Sequence, residues 1–316
     1  MNLPSYNDIL SAHSRIKPFI HDTPVFTSAQ LNKIFSSDLY FKCENFQRVG
    51  AFKFRGATNA ILLLSEEEKQ RGVVTHSSGN HAAALALAAS MNGIKARIVM
   101  PKTAPVVKIN AVASYGAEIT FCEPTLQARE ATAKKIIDDT GATLIHPFDN
   151  FNVVCGQGTA ALELVSDNPC LDFVIAPVGG GGLLSGTSTC VKAMNNSIKV
   201  IGAEPFNAND AYQSFTTGKL VPSVNPSTIA DGLLTSLSEL TFDIIRKNVD
   251  QILTATEESI IECMYLVWER MKIIIEPSSA TVLAVIKENP DIFRNKKVGL
   301  IISGGNVDFK NLNLRR

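Results

Sequence analysis

The 316-residue chain lacks any excess of charge and any long apolar segment. Its 30 basic residues balance its 30 acidic residues, which argues against a nucleic-acid partner or a membrane-surface partner. The longest apolar run, Ala82 to Ala89, is too short for a transmembrane helix, which needs about 18 residues. The N-terminus also lacks the apolar segment of a secretory signal. We therefore expect a globular protein of about two domains, in line with roughly 150 residues per domain.

Cysteine pairs are also missing. The chain has six cysteines and no C-x-x-C motif. Scattered cysteines of this kind are typical of free, mostly buried thiols in a reducing compartment, rather than of disulfides or a zinc site. The sequence therefore predicts a cytoplasmic protein.

Strand and helix patterns alternate between residues 72 and 147. Short strands are predicted at 73–75, 96–100, 118–121 and 143–146, and helices at 81–91, 105–115 and 126–139. Alternation with short connections is typical of a parallel sheet built from βαβ units. We interpret residues 72–149 as a small α/β domain.

The flanking segments also show patterns of strands and helices. Apolar strands are predicted at 171–178, 199–203 and 297–302, and Thr254 with Glu257 has capping-box spacing that predicts the start of a helix. We interpret residues 1–71 and 150–316 as one larger domain that carries the small domain as an insertion. Ligands of open parallel sheets bind at the carboxyl ends of strands, so the loops there are candidate sites.

Two of these loops are suited to anions. Ser77-Ser78-Gly79-Asn80-His81 leads directly into a helix, whose N-terminus can bind a carboxylate, although an ordinary helix cap explains it as well. Gly179-Gly180-Gly181-Gly182 follows a buried strand and can wrap closely around a phosphate. Neither a Walker motif nor a G-x-G-x-x-G motif is present. Residues 156–161 satisfy the relaxed G-x-G-x-x-A form, but without the preceding strand and the following acid that a dinucleotide site requires.

Two further features suggest chemistry. Glu204 and Asp210 flank a proline-containing loop and suit a divalent cation, or are simply solvated acids. Lys53 lies between two phenylalanines, where desolvation would lower its pKa and favour an imine-forming amine, although surface lysines are far commoner. A third small-residue loop, Ser303-Gly304-Gly305-Asn306, follows the last predicted strand.

Four motifs occur together in an order that resembles the serine/threonine dehydratases, pyridoxal-phosphate enzymes of fold type II. They are Phe52-Lys53-Phe54-Arg55-Gly56-Ala57, the serine loop at 77–81, the four glycines and the 303–306 loop. The resemblance covers about residues 4–310. It implies an α/β fold with two open, twisted, mostly parallel sheets in a large and a small domain, and a homodimer.

The resemblance also implies roles for individual residues. Lys53 would bind pyridoxal 5'-phosphate covalently and act as a proton-transfer base, with Ser78 as the second acid/base. The other cofactor contacts would be Phe52, Asn80, Ser303 and the amides of Gly179, Gly180, Gly181 and Gly182. The substrate would contact Ser77, Ser78, Asn80, His81, Arg129 and Thr235.

Two accessory sites follow from the same resemblance. Magnesium, or calcium or manganese, would bind Glu204, Asp210 and the Ala208 carbonyl. ATP, as an activator, would bind Arg48, Tyr115, Lys272 and Asn306.

The implied substrate is a small amino acid. One interpretation is interconversion of L- and D-serine with accompanying dehydration of serine to pyruvate and ammonia. The alternative is dehydration of threonine or 3-hydroxyaspartate without significant inversion. A non-enzymatic amino-acid sensor is less favoured, because binding alone needs no imine-forming lysine.

Overall fold

Ten β-strands form two separate sheets in the computed structural model, which describes residues 3–309. The strands are β1 (Val25–Phe26), β2 (Asp38–Cys43), β3 (Val73–His76), β4 (Ala96–Pro101), β5 (Glu118–Cys122), β6 (Thr143–Leu144), β7 (Phe173–Pro177), β8 (Lys199–Pro205), β9 (Gln251–Ala255) and β10 (Lys297–Ile302). The larger sheet has the order β1-β2-β10-β7-β8-β9, and only β1 is antiparallel to its neighbour. The smaller sheet has the order β5-β4-β3-β6 and is parallel throughout. The predicted α/β class with two open, mostly parallel sheets is confirmed.

Fourteen α-helices among the described residues connect and cover these strands. They are α1 (Tyr6–Ile16), α2 (Ala29–Phe35), α3 (Lys53–Leu62), α4 (Glu66–Arg71), α5 (Asn80–Met91), α6 (Val106–Ser114), α7 (Leu126–Thr140), α8 (Phe151–Asp167), α9 (Gly182–Met194), α10 (Asp210–Thr217), α11 (Glu239–Asn248), α12 (Glu257–Met271), α13 (Pro277–Glu288) and α14 (Pro290–Phe293). No helix in residues 3–309 combines the length and apolar character that crossing a membrane requires.

The larger sheet is covered by helices on both faces. Residues of α12 and α13 pack on one face in one apolar cluster, and residues of α8, α9 and α11 pack on the other. Burial on both faces explains the near-continuous apolar sequence of the central strands. Around the smaller sheet, α3 and α5 pack in a cluster with β3 and β4, and α7 lies in a second cluster with Val74 and Val99.

The G-x-G-x-x-A segment serves helix packing. It lies in the middle of α8, where no strand precedes it. A Cβ atom at Gly156 would come within 2.6 Å of the Gly56 Cα atom, and one at Gly158 within 2.8 Å of the Gly186 carbonyl oxygen. These glycines let α8 approach α3 and α9 closely, which agrees with the argument against a dinucleotide site.

The predicted capping box at Thr254 is wrong. Thr254 lies inside β9, and Thr256 caps α12 instead by accepting a hydrogen bond from the Ser259 amide at 3.3 Å. Thr254 pairs with Glu204 of β8, so this position belongs to a strand that the sequence pattern did not predict.

Candidate active site

Lys53 is the first residue of α3, and its amine faces the segment that follows β6. The Lys53 Nζ atom donates a hydrogen bond to the Pro147 carbonyl at 2.9 Å and lies 5.1 Å from the centre of the Phe52 ring. Burial of the amine lowers its pKa to about 8, although the negative charge of Glu276 acts in the opposite direction. An amine with this pKa is a stronger candidate for imine formation and proton transfer near neutral pH than an ordinary lysine.

The four glycines lie between the end of β7 and the start of α9. Gly181 has φ of +85°, a left-handed conformation that favours glycine. A Cβ atom at Gly180 would lie 2.2 Å from the Phe148 ring, and one at Gly179 would lie 2.9 Å from the Leu233 Cα atom. The loop therefore accepts no side chains, and its backbone N–H groups belong to a helix N-terminus, the usual place for a phosphate.

Ser303 lies next to the start of α3. Its carbonyl accepts a hydrogen bond from the Phe52 amide at 2.9 Å, and its buried hydroxyl is 3.0 Å from the Ser279 hydroxyl. Insertion of β10 between β2 and β7 brings these distant parts of the chain together.

Asn80 belongs to a polar chain that includes one acid outside the predicted set. Its side-chain amide donates to Glu276 Oε1 at 2.9 Å, and its oxygen accepts from Asn306 at 2.8 Å. Burial and the negative charge of Asp231 raise the pKa of Glu276 to about 7. The only sequence signal for this residue is an acid before Pro277, the N-terminal proline of α13, which is equally typical of any helix start.

The serine loop connects β3 to α5. Ser77 and Ser78 are half-buried, and His81 is 2% exposed. The His81 Nε2 atom is 3.0 Å from the Ile145 carbonyl oxygen, whereas Nδ1 has no hydrogen-bond partner among the described residues. Burial, with the charge of Lys53 next, lowers the pKa of His81 to about 3, so the ring is neutral at physiological pH.

His146 and Phe148 follow β6 and lie close to His76 at the end of β3. The His146 ring centre is 5.5 Å from that of His76 and 4.6 Å from that of Phe148. Burial and the neighbouring His76 lower the pKa of His146 to about 4. The absence of metal-ligand spacing makes His146 look like a packing residue in the sequence, and only the return of the chain beside Gly180 places this segment next to the four glycines.

Arg129 and Thr235 differ in their surroundings. Arg129 lies on α7 with its Nε atom buried and without a hydrogen-bond partner in residues 3–309. Its positive charge contributes to the lowered pKa of His76, after burial, which is the main cause. Thr235 is exposed in the loop that contains Gly232 and Leu233, the neighbours of Gly179.

Glu204 and Asp210 are both buried, so they are not solvated loop acids. Glu204 is 1% exposed and accepts hydrogen bonds from the amides of Ala211 and Tyr212 at 2.8 and 2.7 Å. Neither carboxylate oxygen of Asp210 has a hydrogen-bond partner in the described part of the chain. Burial raises the pKa of Glu204 to about 9 and that of Asp210 to about 6. Ala208 lies buried between them in the chain.

The chemistry of this pair suits a cation. Two buried carboxyl groups with raised pKa values lack a positive partner among residues 3–309, and a hard divalent ion would supply one. Residues 3–309 contain no cluster of three or more His, Cys, Asp or Glu side chains that could hold a metal. A metal here would therefore need carbonyl and water ligands in addition to the two acids.

The four residues that were predicted to bind ATP do not all lie together in the structure. Asn306 donates to the Val49 carbonyl at 2.7 Å, next to Arg48, whose Nε atom donates to the Phe19 carbonyl at 2.6 Å. Tyr115 packs in the apolar cluster of the smaller sheet. Lys272 ends α12 and donates to the Glu269 carbonyl at 2.7 Å. A hydrogen bond thus connects Asn306 with the segment of Arg48, and Tyr115 packs in the same apolar cluster as Val49 of that segment.

Comparison with known proteins identifies the family. The model of the pyridoxal-phosphate dependent enzymes matches residues 16–304. This chain belongs to that family. The match covers both sheets and every candidate cofactor residue, and the fold is that of the type II enzymes.

The relatives include enzymes of two activities. A serine racemase of Dictyostelium discoideum is 53% identical over 312 residues, which cover 96% of this chain and 95% of the relative. A beta-hydroxyaspartate dehydratase of Paracoccus denitrificans is 47% identical and covers 99% of both chains. The solved structure of maize serine racemase has a TM-score of 0.96 at 42% identity and covers 98% of this chain and 96% of that one.

Proposed function

We propose that this protein interconverts L- and D-serine with pyridoxal 5'-phosphate and also dehydrates serine to pyruvate and ammonia. The observation that carries the proposal is the Lys53 amine, whose pKa is lowered to about 8. This amine donates to the carbonyl of Pro147, the residue before Phe148, and the Phe148 ring lies beside Gly180. Similarity to serine racemases over nearly the whole chain supports this choice of reaction.

The residues present fit the cofactor. The four glycines leave a backbone cradle with no room for side chains, and they open α9, whose N-terminal N–H groups are suited to a phosphate. Phe52, Asn80 and Ser303 are the other residues that would hold the cofactor. When bound, pyridoxal phosphate supplies an electron sink that stabilises the charge left at Cα after proton removal.

Lys53 is the base for one face of the substrate. Because its pKa is about 8, a useful fraction of the amine is neutral near pH 7 and can accept the Cα proton. The Pro147 carbonyl holds the amine in place through the 2.9 Å hydrogen bond.

Ser78 is the acid/base for the opposite face. Its hydroxyl lies two residues before α5, where the helix dipole favours negative charge and thereby helps a weak base. Return of a proton by Ser78 gives inversion, whereas loss of the β-hydroxyl gives dehydration. Ser77, Asn80 and the neutral His81 would bind the substrate carboxylate at the same helix terminus, with Arg129 and Thr235 nearby.

Glu204, Asp210 and the Ala208 carbonyl would bind magnesium, or calcium or manganese. The two oxygens of Asp210 without partners among residues 3–309 support this assignment. The ion would neutralise two buried carboxylates and fix the connection between β8 and α10.

The organisation of the protein remains part of the proposal. We assign residues 72–149 to a small substrate-binding domain within a larger cofactor-binding domain, because all four strands of the smaller sheet fall in that range. A homodimer and activation by ATP through Arg48, Tyr115, Lys272 and Asn306 are proposed from the family resemblance alone. The cytoplasmic location is proposed from the scattered cysteines.

A second candidate is dehydration of 3-hydroxyaspartate. The Arg129 Nε atom is buried without a hydrogen-bond partner among residues 3–309, and its charge acts on His76. A cation of this kind would suit a second substrate carboxylate. Similarity to a beta-hydroxyaspartate dehydratase supports the same activity.

One experiment separates the two candidates. The holoenzyme is incubated with L-serine, D-serine, L-threonine and 3-hydroxyaspartate, and both the inverted amino acid and the keto acid are measured. The proposal predicts inversion of serine in both directions together with pyruvate. Keto acid from 3-hydroxyaspartate without any inversion of serine would favour the second candidate.

A further inference from the structure

A cluster of buried charges lies behind the first turn of α3. We call it the Arg55 cluster, and it consists of Lys42, Glu44, Arg55 and Glu163. Lys42, Glu44 and Arg55 are 0% exposed, and Glu163 is 9% exposed. Two positive and two negative side chains balance one another, which is the usual requirement for charges this deep in a protein.

Arg55 is the centre of the cluster. Its Nε and Nη2 atoms donate to the two Glu44 oxygens at 2.7 and 2.8 Å, and its Nη1 and Nη2 atoms donate to the two Glu163 oxygens at 2.7 Å. A further bond runs from Nη1 to the Thr159 hydroxyl at 3.1 Å. Two forked arginine–carboxylate pairs fix the guanidinium in both position and orientation.

Lys42 closes the cluster on the side of the larger sheet. Its Nζ atom lies 2.7 Å from Glu163 Oε2 and donates to the Thr23 carbonyl at 2.6 Å. Burial would raise the pKa of Glu163, but hydrogen bonds from His13 and Arg55 and the charges of Arg55 and Lys42 hold it well below its usual range. The carboxylate is therefore ionised throughout the physiological range.

The cluster ties α3 to two other elements. Lys42 lies in β2, Glu163 and Thr159 lie in α8, and Arg55 is the third residue of α3. Next to it, the Gly56 amide donates to the Gln157 side chain at 3.2 Å. The first turn of α3, which begins at Lys53, is thus held by directional bonds as well as by apolar packing.

Stability alone does not explain these charges, because well-packed apolar residues often replace a buried ion cluster without loss. Apolar contacts also tolerate small shifts of a helix that a forked ion pair does not. We propose that Arg55, through Glu44, Glu163 and Lys42, is a positioning residue that fixes the first turn of α3 and thereby the Lys53 amine. This inference rests on the proposed role of Lys53 and adds a residue that touches neither substrate nor cofactor.

The test is Arg55→Lys, which keeps the charge and removes the fork. Val267→Ala is the matched control, because Val267 is fully buried in the α12–α13 cluster on the larger sheet. Both holoenzymes are compared in melting temperature, in kcat and KM for serine inversion, and in hydrogen exchange of the peptide that covers residues 51–58.

We expect kcat of Arg55→Lys to fall about 10- to 100-fold with KM nearly unchanged, since small displacements of a reacting group have effects of this size. Exchange of the first-turn amides should rise about tenfold, whereas Val267→Ala should lower the melting temperature without either change. Unchanged kcat and unchanged exchange in Arg55→Lys would overturn the proposal, as would equal changes in Val267→Ala.

Thr159→Val takes the place of Arg55→Lys if that variant does not fold. It removes one acceptor of Arg55 and leaves all four charges, so we expect the same changes on a smaller scale, roughly threefold. Wild-type kcat and exchange in Thr159→Val would overturn the proposal.

Borohydride reduction of the wild-type holoenzyme distinguishes failure of the proposed function from failure of the positioning role. An adduct on another lysine refutes the proposed function, whereas an adduct on Lys53 with unchanged kcat in Arg55→Lys refutes the positioning role alone.

Discussion

Two buried groups of charges in this molecule differ in how fully they are paired. In the Arg55 cluster, every carboxylate and both cations have partners of opposite charge within 3 Å of one another. At the starts of α5 and α7 and in the β8–α10 connection, the His81 Nδ1 atom, the Arg129 Nε atom and the Asp210 oxygens have no hydrogen-bond partner in residues 3–309.

The difference is one basis for the proposed ligand sites. Buried polar groups are almost always paired, so a buried charge without a partner is a candidate for binding a substrate, cofactor or ion. A fully paired cluster has no donor or acceptor left for a ligand, and it holds the surrounding helices and strand in place instead. The predictions below test this distinction.

The largest expected effect comes from comparing two lysines. Lys53→Met should lower serine turnover by roughly 10⁴-fold, since a base and the covalent link to the cofactor are lost together. Lys42→Met should lower the free energy of unfolding by roughly 3 kcal/mol, because it leaves Glu163 short of a buried partner. Turnover and chemical denaturation are measured for both variants.

The comparison fails if the two phenotypes are reversed. A stable Lys42→Met with lower turnover than Lys53→Met would show that the paired lysine is the functional one. Lys42→Met should retain at least about a tenth of wild-type turnover, since it removes only an outer member of the Arg55 cluster.

Ser78→Ala tests the second face of the substrate. It should lower serine inversion and elimination from D-serine by roughly 100- to 1000-fold, while L-serine dehydration persists because that reaction needs only the Lys53 face. D-serine formation and pyruvate formation are measured separately by chiral chromatography and by reduction of pyruvate. Near wild-type inversion in Ser78→Ala would refute the assignment of Ser78 as the second base.

The lowered pKa of Lys53 predicts a pH dependence in the cofactor-free protein. The neutral amine should become dominant as the pH rises through about 8, rather than through the ordinary value of 10.5. At pH 7 the neutral fraction of the Lys53 amine, and with it the rate of reaction with pyridoxal phosphate, should therefore be about 300-fold higher than for an exposed lysine. Capture rates between pH 6 and pH 10, followed by absorbance, check the midpoint, and a midpoint near 10 would contradict the burial of this amine.

The smallest expected effect concerns the metal. Magnesium should raise the wild-type melting temperature by a few degrees, since a ligand at 100 times its Kd adds about 2.7 kcal/mol. Chelator should reverse the shift, and Asp210→Asn should show none. Asp291→Asn, an exposed acid, is the control and should behave like wild type. An equal magnesium shift in Asp210→Asn would place the ion elsewhere.

The sequence predicted the loops of the proposed site because each follows a predicted strand. The rule for ligands at strand ends places the four glycines and the 303–306 loop on one edge of the larger sheet, and the serine loop at a strand end of the smaller sheet. Only the combination of the motifs in order indicates a common site. Strand β2 escaped prediction because Asp38 and Lys42 interrupt its apolar pattern.

The contacts between these loops depend on pairings across the chain that no local pattern reveals. Asn80 and Glu276 are 196 positions apart, at the start of α5 beside the smaller sheet and at the start of α13 beside the larger sheet. In the Arg55 cluster, Arg55 and Glu163 are 108 positions apart. In the sequence, Glu163 looks like an ordinary surface acid and Glu276 like an ordinary helix-start acid.

The most direct test of the proposed function is proton exchange at Cα. L-serine is incubated with the holoenzyme in deuterium oxide, and the Cα proton, the D-serine formed and the pyruvate formed are followed by NMR and chiral chromatography. We expect loss of the Cα proton signal, deuterated D-serine and pyruvate, all abolished in Lys53→Met. L-serine that keeps its Cα proton and yields neither product would contradict the assignment of the Lys53 site to serine inversion.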